Sequence, residues 1–200
     1  HDLRNPLNLA EGRLELARET GDLEHLEPIE RALSRMERII CDVLWLAHEG
    51  RDIGEPTRVA LRDACEDAWV VVADTTANAE LRITPDGSDL GAIEADDDRF
   101  RQLLENLFRN AIEHGGDDVT VSVGLLDDGF YVEDDGPGIP PEVRADVFEE
   151  GYSSVEAGTG LGLSIVYEVA RAHGWDVAVS TGADGGARFE ITGVGVEGPR

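Results

Sequence analysis

Two clusters of glycine stand either side of a short acidic stretch, in an arrangement suited to handling an anion. The first reads Asp134-Asp135-Gly136-Pro137-Gly138-Ile139-Pro140, and the second Gly158-Thr159-Gly160-Leu161-Gly162-Leu163. Glycine lets backbone N–H groups come close to a bound group. The second cluster runs into an apolar, helix-patterned segment whose first turn would add partial positive charge. A carboxylate ahead of the first cluster suits a hydrogen-bond donor on a base better than a phosphate. Together the clusters predict a nucleotide pocket, although either alone fits an ordinary glycine turn as well. Upstream, Gln102, Asn106, Asn110 and Glu113 fall three or four residues apart on one helical face, opposite Leu103, Leu104, Leu107, Phe108 and Ala111. Carboxamides are neutral and offer an oxygen to a cation and an N–H to a phosphate. Two asparagines one turn apart therefore suit Mg²⁺ and a triphosphate together, while without that context they read as a solvated pair.

These residues need elements to hold them. In residues 1–49, Leu3, Leu7, Ala10, Leu14 and Ala17, then Ile29, Leu33, Met36, Ile40, Val43 and Ala47, step by threes and fours, with Thr20-Gly21-Asp22 between the two runs. That pattern predicts a helical hairpin with coiled-coil-like seams. Two narrow helices cannot bury both seams alone, so a dimeric four-helix bundle is the expected completion, with packing onto the rest of the same chain as the alternative. Residues 50–56 have the composition of a linker. Beyond it, strands are predicted over Thr57–Leu61, Glu80–Thr84, Leu90–Glu94, Val119–Leu125, Phe130–Asp134, Asp176–Ser180 and Ala187–Thr192. Helices are predicted over Arg62–Asn78, Asp97–Glu113, Pro141–Glu149 and Leu163–His173. Hairpin turns are expected at Pro85-Asp86-Gly87, Asp127-Asp128-Gly129 and Asp184-Gly185-Gly186, and a frayed tail from Gly193. The fold class is therefore α + α/β: a helical hairpin (1–49), a linker (50–56), a two-layer α/β sandwich with a mixed, mostly antiparallel sheet (57–193), and a tail (194–200).

The net charge is −26, and all seventeen basic residues are arginine. Such a surface repels nucleic acid and anionic lipid, which excludes both as partners. No run of eighteen apolar residues is present, so no membrane contact is expected from this stretch. The chain opens on His1 without an initiator Met, as an excised fragment would. Strong charge on a regularly patterned chain fits a folded protein from a salt-rich environment, where self-repulsion is screened within a few ångströms. Cys41 and Cys65 lie in separate helical segments and read as buried free thiols. Trp69 and Trp175 read as core and Trp45 as packing near the linker, while His25, His48 and His173 read as solvated helix ends. Glu105 reads as structural.

In their order along the chain, five short motifs resemble those of sensor histidine kinases. His1-Asp2-Leu3-Arg4-Asn5-Pro6-Leu7 is similar to the phospho-acceptor box, Gln102 to His114 to the asparagine box, and Asp134 to Gly138 to the first glycine box. Phe148 to Ser154 is similar to the phenylalanine box, and Gly158 to Leu163 to the second glycine box. The resemblance implies that His1 is phosphorylated, that Asp2 orients and activates its ring, and that Asn5 orients a hydrolytic water in members that also dephosphorylate their partner. Pro6 would free the carbonyl of Asp2 and let the helix bend there. Asp134 would accept the adenine amine, favouring ATP over GTP, and Gly136, Gly138 and Ile139 would border base and ribose. Asn110 would ligate Mg²⁺ beside Asn106, with Arg109 and His114 adjoining. Gly158, Thr159, Gly160, Leu161, Gly162 and Leu163 would present the second cluster to the phosphates. The implied partners are a response-regulator receiver domain and a second copy through residues 1–49, and the implied location is the cytoplasm, with tethering through segments upstream left open.

The chain departs from the pattern in places. Glu113 stands where many members carry lysine, and His114 where they carry tyrosine; between Arg144 and Arg171 there is no basic residue. Neutralising the phosphates then falls to Mg²⁺, K⁺, backbone N–H groups or Arg109. The function expected is autophosphorylation of His1 by ATP and transfer to an aspartate, with a non-catalytic ATP-switched dimerisation module as the alternative. A gyrase-like ATPase is a third reading, against which the hairpin and its acceptor box stand. The charge alone makes a prediction: the thermal unfolding midpoint rises as KCl is increased, and maximal stability in dilute buffer would rule out the salt-adapted reading.

Overall fold

A computed structural model describes residues 3–48, 54–73, 78–84, 90–116, 118–149 and 160–198, with side chains described at all of these except 38 and 41–48. The chain divides into two compact units, one centred on His1–Glu49 and the other on Gly50–Ser154 and Gly160–Arg200.

In the first unit, helix α1 (Arg4–Thr20) and helix α2 (Leu26–His48) run either side of a short 3-10 turn at Leu23–His25. Gly21 ends α1 in the left-handed conformation (φ 70°) and returns its N–H to the Ala17 carbonyl at 2.9 Å. Asp22 then caps the 3-10 turn by accepting from the Glu24 N–H at 2.9 Å. Ala10, Ala32 and Ile39 are buried, yet Leu7, Leu14, Leu33 and Ile40 stay 41–52% exposed within one chain. His25 is half-buried, with the Arg13 guanidinium 3.4 Å from its Nδ1, and so is no free helix end. Pro6 falls in the first turn of α1, where a backbone N–H has no acceptor within the helix. The expected bend involves the Asp2 carbonyl, which lies outside the described residues.

The second unit is organised around helix α4 (Asp97–Gly115). Its elements are β1 (Thr57–Ala60), α3 (Leu61–Ala73), β2 (Glu80–Thr84), β3 (Ala92–Ala95), α4, β4 (Thr120–Leu126), β5 (Gly129–Asp134), a 3-10 turn (Pro141–Val143), α5 (Gly162–Ala172), β6 (Asp176–Thr181) and β7 (Ala187–Thr192). The main sheet has the order β2-β4-β5-β7-β6, parallel between β2 and β4 and antiparallel elsewhere. Phe100, Leu103, Leu104, Leu107 and Phe108 of α4 are at most 1% exposed, as are Val121, Val123 and Phe130 on the sheet. Phe100 meets Phe130 and Trp175 edge-on at 5.7 and 6.0 Å, and Trp69 of α3 meets Phe108 at 5.6 Å. Each such ring contributes roughly 1.5–3 kcal/mol by leaving water. The sheet's other face is polar: Arg188 lies 3.7 Å over the Tyr131 ring and pairs with Glu133 and Glu190 at 3.0 and 2.9 Å.

Three expectations fail here. Strands β2 and β3 do not form a hairpin, and the predicted turn between them lies outside the described residues. Instead β3 pairs antiparallel with β1, from Thr57↔Ala95 to Ala60↔Ala92, while β2 lies parallel to β4. The two strands belong to different sheets, and they differ in burial: β3 buries Ala92, Ile93 and Ala95, whereas β2 buries only Ile83. The predicted helix over Pro141–Glu149 shrinks to the 3-10 turn followed by isolated turns. The tail is not frayed through residue 198: Val194 is 3% exposed, and Glu197 exchanges backbone hydrogen bonds with Ala92 at 2.8 and 3.0 Å.

Asp96 ties several of these parts together. One carboxylate oxygen caps α4 by accepting from the Arg99 N–H (3.2 Å), and the other accepts from the Gly54 N–H (2.7 Å), the described end of the linker. Its own N–H donates to His173 Nε2 at 3.0 Å, and Nδ1 of that ring lies 2.8 Å from the Val169 carbonyl. A neutral imidazole with its proton on Nδ1 satisfies both contacts. His173, stacked 4.3 Å from Trp175, is thus part of the joint between α5 and α4 and not a solvated end. Cys65 is buried and free, its thiol pushed up to about 12 by burial, which makes it inert; the Cys41 side chain lies outside the described residues, as do those of Trp45 and His48.

Burial alone would raise the Asp96 carboxyl, but the hydrogen bonds from Gly54 and Arg99 and the Arg99 guanidinium outweigh it and hold the carboxyl below its ordinary value. A group depressed on folding adds stability above its unfolded value, and that stability is lost as pH falls through the folded one. Asp96→Ala is expected to cost about 1–2 kcal/mol in urea unfolding at neutral pH. The deficit should shrink on acidification as the wild type loses the same contribution.

Candidate functional site

Asp134 is the last residue of β5 and is 8% exposed. Both hydrogen bonds that it accepts among the described residues fall on Oδ1, from the N–H of Gly136 (3.0 Å) and of Ala187 (3.1 Å). The carboxylate is thereby fixed by backbone at one oxygen, and Oδ2 remains as an acceptor. Burial pushes its carboxyl above the ordinary range; the two backbone donors and nearby His114 act the other way, and Asp135 adds to the rise. The neighbouring Asp135 is exposed and turns its Oδ1 to the Thr120 N–H (2.8 Å), tying the end of β5 to the start of β4.

The glycines of the first cluster are needed for a reason the sequence did not reveal. A Cβ on Gly136 would stand 2.6 Å from Gly115 Cα at the end of α4. One on Gly138 (φ 72°) would stand 2.7 Å from the Gly185 carbonyl. In each case the space beside the glycine is filled by the protein's own backbone. The β6–β7 hairpin closes in equally tightly, since a Cβ on Gly186 would lie 2.0 Å from the Asp134 carbonyl oxygen. Gly115, Gly186 and Ala187 are therefore site residues that motif reading missed. The Gly185-Gly186 pair was the one available signal.

Helix α4 brings its polar face to the same region. Asn106 is 5% exposed; its Nδ2 donates to the Gln102 carbonyl at 2.9 Å, and its Oδ1 lies 3.3 Å from where a Cβ on Gly162 would be. The carboxamide thus sits against the first residue of α5. That helix begins without a side-chain cap at Leu161, and Ser164 turns its hydroxyl back to the Leu161 carbonyl at 2.8 Å. A helix start of this kind favours an anion. Asn110 and His114 follow on α4, both half-buried. Arg109 has Glu105 4.0 Å away on the preceding turn, and burial raises the Glu105 carboxyl while Arg109 and Arg101 lower it. Arg109 is therefore within reach of the Glu105 carboxylate.

Ile139 is half-buried beside Gly138, and Gly160 (φ 68°), Leu161, Gly162 and Leu163 lead into α5. Phe148 packs on Tyr167 of α5 and Phe189 of β7, with ring centroids 6.0 and 6.4 Å apart. Gly158 and Thr159 lie outside the described residues, as do His1 and Asp2. Asn5 is exposed on the first turn of α1. No group of three or more His, Cys, Asp or Glu among the described residues could cage a metal ion. The carboxamide oxygens of α4 fit a hard cation that arrives with most of its ligands already in place, as Mg²⁺ does on phosphates.

Two family models match the chain. "Histidine kinase-, DNA gyrase B-, and HSP90-like ATPase" covers residues 95–193, and "His Kinase A (phospho-acceptor) domain" covers residues 1–50. The adaptive-response sensory kinase SasA of Trichormus variabilis is 30% identical over 96% of this chain and 54% of its own length. The chain thus spans about half the length of that relative. Among solved structures, full-length ShkA in complex with AMPPNP aligns with a TM-score of 0.64 at 27% identity, over all of this chain and 45% of that one. The mycobacterial sensor histidine kinase MprB aligns at 0.60 and 26%, over 72% of this chain and 99% of that one.

The geometry of Asp134 makes a prediction of its own. In Asp134→Asn, the remaining oxygen can still serve Gly136 and Ala187, which places an NH₂ group where Oδ2 stood. On the adenine-reading role that the resemblance implies for Asp134, a donor would then face a donor, and ATP affinity should fall by about tenfold or more in equilibrium titration. Because the ionised carboxylate is the stronger acceptor, wild-type affinity should also weaken as pH falls, beginning at a higher pH than an ordinary aspartate would give.

Proposed function

Because the chain belongs to the sensor histidine kinases of two-component signalling, carrying their phospho-acceptor and ATP-binding domains, we propose that it catalyses its own phosphorylation on His1 from ATP. The observation that carries the base-binding half of this reading is the buried Asp134, held at Oδ1 by two backbone N–H groups. Its other oxygen suits the exocyclic amine of adenine and repels the carbonyl that guanine presents there. Asn106 lies against the start of α5, and the two suit the phosphates, with Gly158 to Leu163 supplying backbone N–H groups. Asn110 is the side chain assigned to Mg²⁺, which when bound neutralises charge on the phosphates. The AMPPNP bound to ShkA supports an ATP site in this fold.

At the acceptor, an imidazole nitrogen of His1 forms the N–P bond as the bond between the γ-phosphorus and its bridging oxygen breaks. ADP keeps that electron pair, and the ring proton passes to Asp2. The phosphoryl group then moves to an aspartate carboxylate on a response-regulator receiver domain, and Asn5 would orient a water for dephosphorylating that partner. Catalysis is then mostly positioning, since the transferred group needs alignment and charge neutralisation more than covalent help. The exposed leucines of α1 and α2 support a homodimer through residues 1–49. No helix among the described residues is long and apolar enough to cross a membrane, and a reaction that uses ATP and a receiver domain would take place in the cytoplasm.

Incubation with γ-labelled ATP and Mg²⁺ in concentrated KCl is expected to leave an acid-labile label on the chain, absent from His1→Gln. ATP binding without such label, in a chain extended upstream of His1, would favour a non-catalytic dimerisation module. Steady phosphate release that survives His1→Gln would point to a gyrase-like ATPase.

A further inference from the structure

Arg144 is the last basic residue before Arg171, in a chain dominated by carboxylates. Among the described residues it makes no ion pair. Its Nε–H donates to the Ile139 carbonyl at 3.0 Å, and its Nη2–H donates to Thr181 Oγ1 at 2.7 Å. Ile139 ends the glycine-rich segment that leaves β5, and Thr181 ends β6 where the β6–β7 hairpin begins. Arg144 therefore joins two segments that are not neighbours in sequence.

Those are the same two segments that hold the base-reading carboxylate. One supplies the Gly136 N–H to Asp134 Oδ1 and the other supplies the Ala187 N–H. Within the hairpin, Gly182 donates its N–H to the Gly186 carbonyl at 2.8 Å, so the link from Thr181 to Ala187 is short and closed. If the segments drift apart, one donor leaves Asp134, and the carboxylate loses both a fixed orientation and a group that favours its ionised form. We propose that Arg144 is a positioning residue for base recognition, fastening the first glycine segment to the β6–β7 hairpin so that Asp134 Oδ2 stays aimed at the adenine amine. This rests on the nucleotide-site reading above. A guanidinium suits the task because its fixed fork spans a carbonyl and a hydroxyl at once, which a lysine ammonium on a flexible stem does not.

The test compares the affinities of ADP–Mg²⁺ and GDP–Mg²⁺ by calorimetry in concentrated KCl, for the wild type, Arg144→Ala, Arg144→Lys and Thr181→Val. Arg144→Ala should reduce the preference for ADP over GDP by about tenfold, in line with losing hydrogen bonds that orient a charged acceptor. Arg144→Lys and Thr181→Val, each keeping one of the two contacts, should fall between. A smaller folded fraction would weaken both nucleotides by one factor and leave their ratio in place, so an unchanged ratio in Arg144→Ala overturns the proposal. Should that variant fail to fold, Thr181→Val decides: a narrowed ratio supports the proposal, and the wild-type ratio overturns it. A wild type that binds neither nucleotide removes the nucleotide-site reading and this inference together.

Discussion

A carboxylate has to stay ionised in a place where burial favours its protonated form, and the second unit is arranged around that conflict. Asp134 is nearly out of water, so each backbone N–H that reaches Oδ1 offsets part of the desolvation. Gly136 comes from the segment that follows β5, and Ala187 from the far strand of the β6–β7 hairpin. Pairing β5 with β7 is what brings them together. The sheet order thus serves the site as well as the core, because it delivers a second amide to a carboxylate that one amide would hold poorly.

That arrangement requires backbone against backbone. Gly186 lies against the Asp134 carbonyl, Gly138 against Gly185, and Gly136 against the last turn of α4. In all three places a methyl group would meet main-chain atoms, which cannot swing aside as a long side chain can. The glycines work here by removing volume, and at Gly138 also by adopting a positive φ. The consequence is a rigid floor built from strand ends, a helix end and one hairpin, with the polar face of α4 forming the adjoining wall.

Helix α4 links this floor to the rest of the unit. Its apolar face is the largest contribution to the core, and Asn106 lies against the start of α5. At its other end Asp96 holds the helix cap, the incoming chain at Gly54 and, through His173, the end of α5. Among the described residues, Arg99, Arg101, Arg109 and Arg188 are each paired with carboxylates. Arg144 differs in holding main chain and a hydroxyl, and that choice of partners is why it reads as part of the site and not of the surface.

The sequence alone determined the elements whose signals are local. Threes and fours of leucine placed α1, α2 and α4, Gly21 marked the end of α1, and the Asn106–Asn110 spacing put both carboxamides on the polar face of α4. The ordered motifs were themselves enough to point to the family. Tertiary structure decided the rest, and the reason is the same in each case. Periodicity tells which face of a strand is buried but not which strand lies beside it, so β2 and β3 looked like a hairpin and took different partners. A glycine announces a close approach without naming what approaches, so nothing in the sequence told that Gly115 and Gly185 lie against Gly136 and Gly138. A polar residue shows what it can bond but not what will come within reach, so His173 read as a solvated helix end and Arg144 only as the edge of a stretch without basic residues, until the fold brought Asp96 to one, and Ile139 and Thr181 to the other.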